Sequence, residues 1–233
     1  MQARLALVPI AALVALVAPA AIAAPKAAPA CNTITDPAGD TFALRTQDAP
    51  PAGGPQYGPQ DDSLDVISGD LASNGKVVTA VIRIKKLSRT VQTSPTGLTA
   101  SLGFLIGGSN TVVRLYAVLA TGQTDRFDVS ATASDAVPNT PSTYVGEGTG
   151  VVDLAKNEVR ITAPAALLAP YGALKAGTPL FPNDAESATV ARGVPAITST
   201  PGQPMTTRGP FADIAIGGKA IKVGARSCVV PGK

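Results

Sequence analysis

The sequence predicts an all-β fold of antiparallel strands arranged as a meander or a sandwich. Short segments in which apolar and polar residues alternate follow one another from residue 65 onward, and this period of two is typical of strands with one buried face. Tight turns rich in Gly and Asn separate these segments, as antiparallel neighbours require. Segments with helical periodicity are scarce.

The first 23 residues have the pattern of a secretory signal peptide. Arg4 supplies a positive charge, Leu5 to Val17 is apolar, and Ala21-Ile22-Ala23 is a small-x-small cleavage site. The apolar core is short and interrupted by prolines, and no later stretch is long enough to cross a bilayer. We therefore predict a signal peptide over 1–23, a flexible leader over 24–30 and a secreted protein with no transmembrane segment.

The two cysteines lie near the ends of the remaining chain, which is long enough for one β-sandwich domain over residues 31–230. In an exported protein, Cys31 and Cys228 are expected to form a disulfide. A lipid anchor on Cys31 is the alternative. It fits poorly, because Ala28 stands where a lipoprotein signal needs a Leu-type residue and Lys26 interrupts the apolar run.

Hairpins account for most of the predicted strands. Asn74-Gly75 supplies the positive φ angles of a two-residue hairpin turn. Turns at 107–110 and 121–123 are predicted to join the strands around residues 98–106, 113–119 and 127–131, and we predict three further hairpins, which join 65–72 to 76–85, 149–154 to 158–162 and 212–216 to 219–223. The residues predicted to face the core are Val78, Ala80, Ile82, Ile84, Leu98, Ala100, Leu102, Phe104, Ile106, Val113, Leu115, Ala117, Leu119, Phe127, Val129 and Ala131.

The remaining elements are short or irregular. Residues 164–168 predict a turn or two of helix that begins at a proline. Asn183 to Glu186 resembles a capping box that opens a second short helix. Residues 194–210 predict a long loop. Tyr116 shares a strand face with Arg114, so we predict that it lies on an exposed or second-layer face.

Carboxylates cluster where the predicted domain begins. Asp36 and Asp40 flank a Pro-Ala-Gly turn, and Asp62 and Asp65 follow after a Pro/Gly-rich gap. Oxygen ligands at this density suit Ca²⁺, which takes six to eight of them. Asp is also an ordinary turn residue, and the spacing is not that of an EF-hand. A calcium site at these four residues and simple turn capping both remain open.

Missing residue types exclude several functions. The chain has no His and no Trp, so Ser-His-Asp and Cys-His catalysis and His-containing zinc sites are excluded. We expect no haem, zinc or nucleotide cofactor. A net charge of +3 without any run of Lys or Arg gives no reason to expect nucleic acid as a partner. A carboxylate-based hydrolase is the remaining catalytic alternative.

The order of these motifs resembles the opening of secreted bacterial β-sandwiches of the DOMON-like and family 9 carbohydrate-binding-module-like kind. The resemblance rests on the Asp36 to Asp40 turn, the Asp-x-Leu-Asp-Val of residues 62–66, the Asn-Gly turn and a late hairpin over residues 150–162 followed by Pro164. It spans roughly residues 36–223. It implies a jelly-roll or immunoglobulin-like sandwich with calcium in some members and sugar or haem in others. Sugar-binding members use Trp and haem-binding members use Met and His, and Trp and His are absent here.

The function predicted from these observations is that of a secreted, non-catalytic β-sandwich domain, stabilised by Ca²⁺ if the carboxylates meet, that binds an unidentified extracellular ligand or partner. A structural or cell-surface-associated domain without a small ligand is the first alternative. A hydrolase that uses carboxylates is the second.

Overall fold

The computed structural model describes residues 31–39, 41, 61–91, 96–134, 142–190, 201–202 and 208–233, with the side chains of 189–190 and 208–212 excepted. The predicted signal peptide, the predicted leader and Asp40 lie outside the described residues. No helix in the described part of the chain is long and apolar enough to span a membrane.

Strands dominate the described residues. The strands are β1 (Ile34–Thr35), β2 (Val66–Ser73), β3 (Val77–Ile84), β4 (Gly97–Ile106), β5 (Thr111–Ala120), β6 (Arg126–Ala133), β7 (Thr143–Glu147), β8 (Thr149–Asp153), β9 (Glu158–Pro164), β10 (Pro179–Val190), β11 (Arg208–Ile216) and β12 (Ile221–Lys222). A single short helix among the described residues, α1 (Ala165–Leu168), continues into a 3-10 turn over Ala169–Tyr171.

The strands form two antiparallel sheets. The small sheet has the order β1-β2-β3-β9-β8, and the large sheet has the order β11-β10-β4-β5-β6-β7, with β12 also paired to β10. Their inner faces share one hydrophobic core. This architecture confirms the predicted all-β sandwich.

The predicted core positions are confirmed across both sheets. Phe104, Leu102 and Ile82 are fully buried, and each lies opposite another core residue in the ladder or the facing sheet. Phe127 is only partly buried and packs against the core from its rim. The period of two therefore gave the correct register for β3, β4, β5 and β6.

Two of the three predicted hairpins are confirmed. The β2–β3 turn has Gly75 at φ 83°, and the β8–β9 turn has Asn157 at φ 55°. Positive φ is uncommon for a residue with a Cβ, and Asn is among the few that tolerate it. The Asn157 side chain also joins this turn to the residues that follow β3, since its Oδ1 accepts a hydrogen bond from Leu87 N at 3.0 Å.

The third predicted hairpin is wrong. Strands β11 and β12 do not pair with each other, because both pair with β10. The link between them is held elsewhere: Gly217 N donates to Asn183 O at 2.7 Å and Lys219 N donates to Thr33 O at 2.8 Å. These bonds carry the chain past the end of β10 instead of folding it back on β11.

The predicted second helix is also wrong. Residues 183–186 lie inside β10, the longest strand described, and a bulge between Pro182 and Asp184 interrupts its pairing with β4. Tertiary pairing on both sides of the strand overrides the local resemblance to a capping box.

Residues 224–233, named here the C-terminal segment, lie across the outer face of the small sheet. Gly224 N donates to Ser73 O at 2.7 Å, and Gly232 N donates to Thr79 Oγ1 at 2.9 Å. Val229 packs with Ala72 and Val81 in a small second hydrophobic cluster. The segment therefore buries residues that a bare sandwich would expose.

The predicted disulfide is present. Cys31 is bonded to Cys228, and their Cα atoms are 5.3 Å apart. The bond joins the residues before β1 to the C-terminal segment. It also uses the Cys31 sulfur that a lipid anchor would need.

Candidate functional site

Polar side chains form two cross-strand rows on the outer face of the large sheet, the face directed away from the core. Residues that lie opposite one another in antiparallel strands point to the same side. The first row is Glu186, Ser101, Tyr116, Asp128 and Glu147. The second row is Asp184, Gly103, Arg114, Ser130 and Tyr144. We name these two rows the polar face.

Arg114 is the centre of one half of the polar face. Its Nη1 lies 2.7 Å from Asp184 Oδ1 and 2.7 Å from Glu186 Oε2, and its Nη2 donates to Asp184 Oδ2 at 2.7 Å. The guanidinium is 6.0 Å from the centre of the Tyr116 ring, at the limit of a cation–π contact. Two carboxylates thus contact the same guanidinium group.

The ionisation of Arg114 is secured by its neighbours. Burial alone would lower the pKa of the guanidinium, but Glu186, Tyr116 and Asp184 together raise it above its ordinary value. All of these side chains are buried or nearly so. The cluster therefore keeps its charges inside a largely dehydrated part of the molecule.

Gly103 and Asn183 make room for this cluster and orient it. A Cβ at position 103 would lie 2.7 Å from Asp184 Oδ1 and 3.2 Å from Arg114 Nη2, so a larger residue would displace the ion pair. The Asn183 side chain, at the β10 bulge, donates to Asp184 Oδ2 at 2.7 Å.

Asp128 is the centre of the other half of the polar face. Its Oδ2 accepts from Arg126 Nη2 at 2.6 Å and from Arg126 Nε at 2.9 Å. Burial raises the pKa of the Asp128 carboxyl, with a further contribution from Glu147 on the adjacent strand, while Arg126 acts in the opposite direction. Burial also raises the pKa of the Tyr144 phenol, and Asp128 and Glu147 add to that rise.

Ser130 is a buried donor between the two halves. It pairs with Arg114 on one side and with Tyr144 on the other, and its Oγ has no hydrogen-bond partner among the described residues. A buried hydroxyl without a partner is costly. The polar face therefore retains unused hydrogen-bonding capacity at its middle.

The carboxylates predicted to bind calcium are brought together in part. Asp62 and Asp65 meet at Lys85, whose Nζ lies 2.8 Å from Asp62 Oδ1 and 3.5 Å from Asp65 Oδ2. Gly39 N donates to Asp65 Oδ2 at 2.7 Å, which places the Asp36 turn against Asp65. The fourth predicted ligand, Asp40, lies outside the described residues.

We name the residues around Asp36, Asp62 and Asp65 the acidic turn. Among the described residues it contains the cation Lys85 and two buried oxygens that have no hydrogen-bond partner. The Lys85 ammonium already supplies a positive charge. Asp65 Oδ1 and Thr41 Oγ1, however, are buried with no hydrogen-bond partner among the described residues. No group of three or more Cys, Asp or Glu side chains in the described part of the chain is arranged to hold a metal ion.

Sequence reasoning placed Arg114 and Tyr116 on one face but missed their acidic partners. Asp184 and Glu186 were assigned to a helix cap, so their alternation with Ala185 was not recognised as that of a strand. In the sequence, only this alternation of acidic and small residues indicates that the segment is a strand. The segment lacks the large apolar residues that mark the other strands.

No family model, curated protein or solved structure matches this chain.

Proposed function

We propose that the chain is a secreted, non-catalytic β-sandwich domain that binds an extracellular ligand at the polar face, where a ligand can reach exposed Glu147 and the partly exposed guanidinium groups of Arg114 and Arg126. The observation that carries the proposal is the Arg114 cluster, in which two carboxylates and a guanidinium are held within 2.7 Å contacts on the outer face of a sheet. A signal-like N-terminus and the disulfide support export.

The cost of burying these charges indicates that the Arg114 cluster serves ligand recognition and not stability. Removing charges from water costs several kcal/mol per ion, and well-packed apolar residues of similar volume are often as stable as a buried ion pair or more so. Arg114, Asp184 and Glu186 therefore contribute little that Leu or Met at the same positions would not. Their geometry offers fixed donors and acceptors side by side, which is what a polar binding site provides.

The charge of the polar face indicates the ligand's chemistry. Asp184 and Glu186 share one arginine, and Glu147 is exposed at the β7 edge. The exposed carboxylate oxygens of Glu147 accept hydrogen bonds, which favours a ligand that donates them through hydroxyl or amino groups.

Hydrolysis is the less favoured alternative. Carboxylate-based glycoside cleavage needs one carboxyl that keeps its proton and a second that acts as base or nucleophile. Asp184 and Glu186 instead both lie 2.7 Å from Arg114, so both carboxyl groups are engaged in an ion pair and not positioned to attack or protonate a substrate. Asp128, whose pKa is raised, is likewise held by Arg126.

Thermal-shift measurements on the mature protein test the binding proposal. The probes are a panel of neutral oligosaccharides, amino sugars, free amino acids and short peptides. We expect one class to raise the melting temperature of the parent, and Glu186→Gln to abolish that rise while the variant still folds. The matched control is Glu158→Gln, which removes an equally ion-paired glutamate on the small sheet. Equal ligand responses in both variants would overturn the polar face as the site.

We further propose Ca²⁺ as a stabilising ion at the acidic turn, with Asp65 Oδ1 as the observation that favours it. Asp36, Asp40, Asp62 and Asp65 are the predicted ligands, and the metal would have to share the site with Lys85 or displace it. If the ion binds, the free energy of unfolding rises by about 2.7 kcal/mol at a hundredfold excess over the dissociation constant.

Calcium titration of the parent and of Asp65→Asn tests this second proposal. We expect the parent's melting temperature to rise with calcium and to fall back on addition of chelator, and the variant to show no response. A parent protein whose melting temperature is flat through millimolar calcium would overturn the calcium proposal.

A further inference from the structure

We infer that one end of the sandwich binds an anionic polymer, and that the binding residues are Lys76, Lys175, Lys222 and Arg226. All four side chains are exposed. We name this surface the basic end. It is separate from the polar face, so the two proposals stand or fall independently.

Backbone contacts bring the four cations to the same end of the molecule. Gly224 N donates to Ser73 O at 2.7 Å, which joins the C-terminal segment to the β2–β3 turn. Gly177 N donates to Val223 O at 2.9 Å, which joins the loop before β10 to the end of β12. The segments 73–76, 174–178 and 222–226 therefore adjoin, although they are widely separated in the sequence.

No described carboxylate neutralises the charge of the basic end. The three segments that form it contain no Asp or Glu. Seven other described cations have a carboxylate oxygen within ion-pair distance, namely Arg83, Lys85, Arg89, Arg114, Arg126, Lys156 and Arg160. None of the four cations of the basic end has such a partner among the described residues. Lys86, Lys219 and Lys233 also lack one, so four of the seven described cations without an ion pair lie at this one end, and that concentration of charge favours an anionic partner.

The form of the surface favours a polymer over a small anion. Three of the four cations are lysines, which act as separate point charges on flexible stems and do not form a rigid fork. Exposed charges of this kind attract a chain of repeated anions that reaches several of them at once. A single small anion would instead need a buried cradle.

Acidic polysaccharide is the polymer that these residues fit best. The exposed large apolar residues among those described are Val151, Leu154, Phe181, Ile214, Ile216 and Val230. None of them lies in the three segments of the basic end, so nothing there would insert into a lipid bilayer. The same segments contain no aromatic residue for stacking on bases. Repeated carboxylate or sulfate groups on a sugar chain need only the cations.

Biolayer interferometry on the mature protein tests the inference, with immobilised polygalacturonate as the carboxylated probe and dextran as the neutral one. We expect binding to polygalacturonate alone. If all four cations bind, affinity falls on the order of a hundredfold as NaCl rises from about 50 to about 200 mM. The triple variant Lys175→Gln, Lys222→Gln, Arg226→Gln is expected to lose at least tenfold in affinity.

The matched control removes two lysines and one arginine elsewhere on the surface, through Lys86→Gln, Arg89→Gln and Lys156→Gln. We expect its affinity to stay within about twofold of the parent's, because these cations lie beyond the opposite ends of β3 and β9, remote from the basic end. An equal loss in the control would show that net charge alone is responsible and would overturn the surface. Stronger binding to single-stranded DNA or to phosphatidylglycerol vesicles at the same ionic strength would overturn the polysaccharide.

Discussion

Arg114 organises the charged side chains on the outer face of the large sheet. Its guanidinium holds Asp184 and Glu186 at 2.7 Å each, and without it two buried carboxylates would lose the cation that they share. Removing one partner of a buried ion pair typically costs about 3 to 5 kcal/mol, because the remaining charge is left unpaired. For this reason Glu186→Gln, which keeps Arg114 paired with Asp184, is a milder probe of ligand binding than a substitution of Arg114.

Asp128 and Asp153 should make opposite contributions to the pH dependence of stability. Burial raises the pKa of Asp128, so the folded state binds its proton more tightly than the unfolded state does. Asp128 therefore lowers the free energy of unfolding as pH rises from about 4 through its folded pKa. Hydrogen bonds from Lys156 lower the pKa of Asp153, so its contribution is present above the ordinary carboxyl pKa and is lost as pH falls.

Urea unfolding of Asp128→Asn and Asp153→Asn between acidic and neutral pH measures this difference. Relative to the parent, Asp128→Asn should gain stability as pH rises, and Asp153→Asn should lose it. The exposed Asp153 pair is expected to give the smaller change. Parallel pH profiles for the two variants would contradict the assignment of Asp128 as a buried carboxylate.

At the scale of elements, the strands predicted best were those with large apolar residues at every second position. β3 and β4 have Ile82 or Leu102 and similar residues on the inner side, so alternation alone fixed both strand and register. β10 has Ala185 and Ser187 there, and its outer side holds Asp184 and Glu186. Only the partner strands identify such a segment as a strand. Because β10 was not predicted as a strand, Asp184 and Glu186 were not recognised as part of the polar face.

Turn chemistry was predictable where a positive φ angle was required within a hairpin. Asn74-Gly75 and Asn157 were identified correctly for this reason. Gly217-Gly218 has the same local signal, but its neighbours pair with β10 and with Thr33, so the residues that decide its course are distant in the sequence.

Asn157 combines two roles in the β8–β9 turn, and two substitutions separate them. Asn157→Gly keeps the positive φ angle at no steric cost and loses the hydrogen bond to Leu87 N, which should reduce the free energy of unfolding by about 1 kcal/mol. Asn157→Ala loses the bond and also adopts the left-handed region unfavourably, for a total of about 2 to 3 kcal/mol. Chemical denaturation of both variants gives the values, and an Ala variant as stable as the Gly variant would refute the role of φ.

At the scale of the whole molecule, the surfaces of the sandwich differ in charge and in what covers them. The outer face of the large sheet has the polar face, most of whose side chains are buried, and the outer face of the small sheet is covered by the C-terminal segment. The basic end lies at one end of the sandwich, and the Asp62–Lys85–Asp65 group lies at the opposite end of β2 and β3. The sequence identifies the acidic group as a cluster, whereas the basic end is assembled from three segments and becomes visible only in the fold.

The Cys31–Cys228 disulfide should hold the C-terminal segment on the small sheet and raise the stability of the whole domain. Its removal by Cys31→Ser with Cys228→Ser is expected to lower the free energy of unfolding by about 2 to 5 kcal/mol. Thr79 and Val81 are fully buried beneath the segment, and the hydrogen bonds of Gly224 and Gly232 alone would fix it less firmly. Hydrogen exchange in the folded double variant should therefore accelerate over 224–233 more than at Phe104 in the core. If exchange rises equally at both places, the disulfide stabilises the domain as a whole without a particular role in docking the segment.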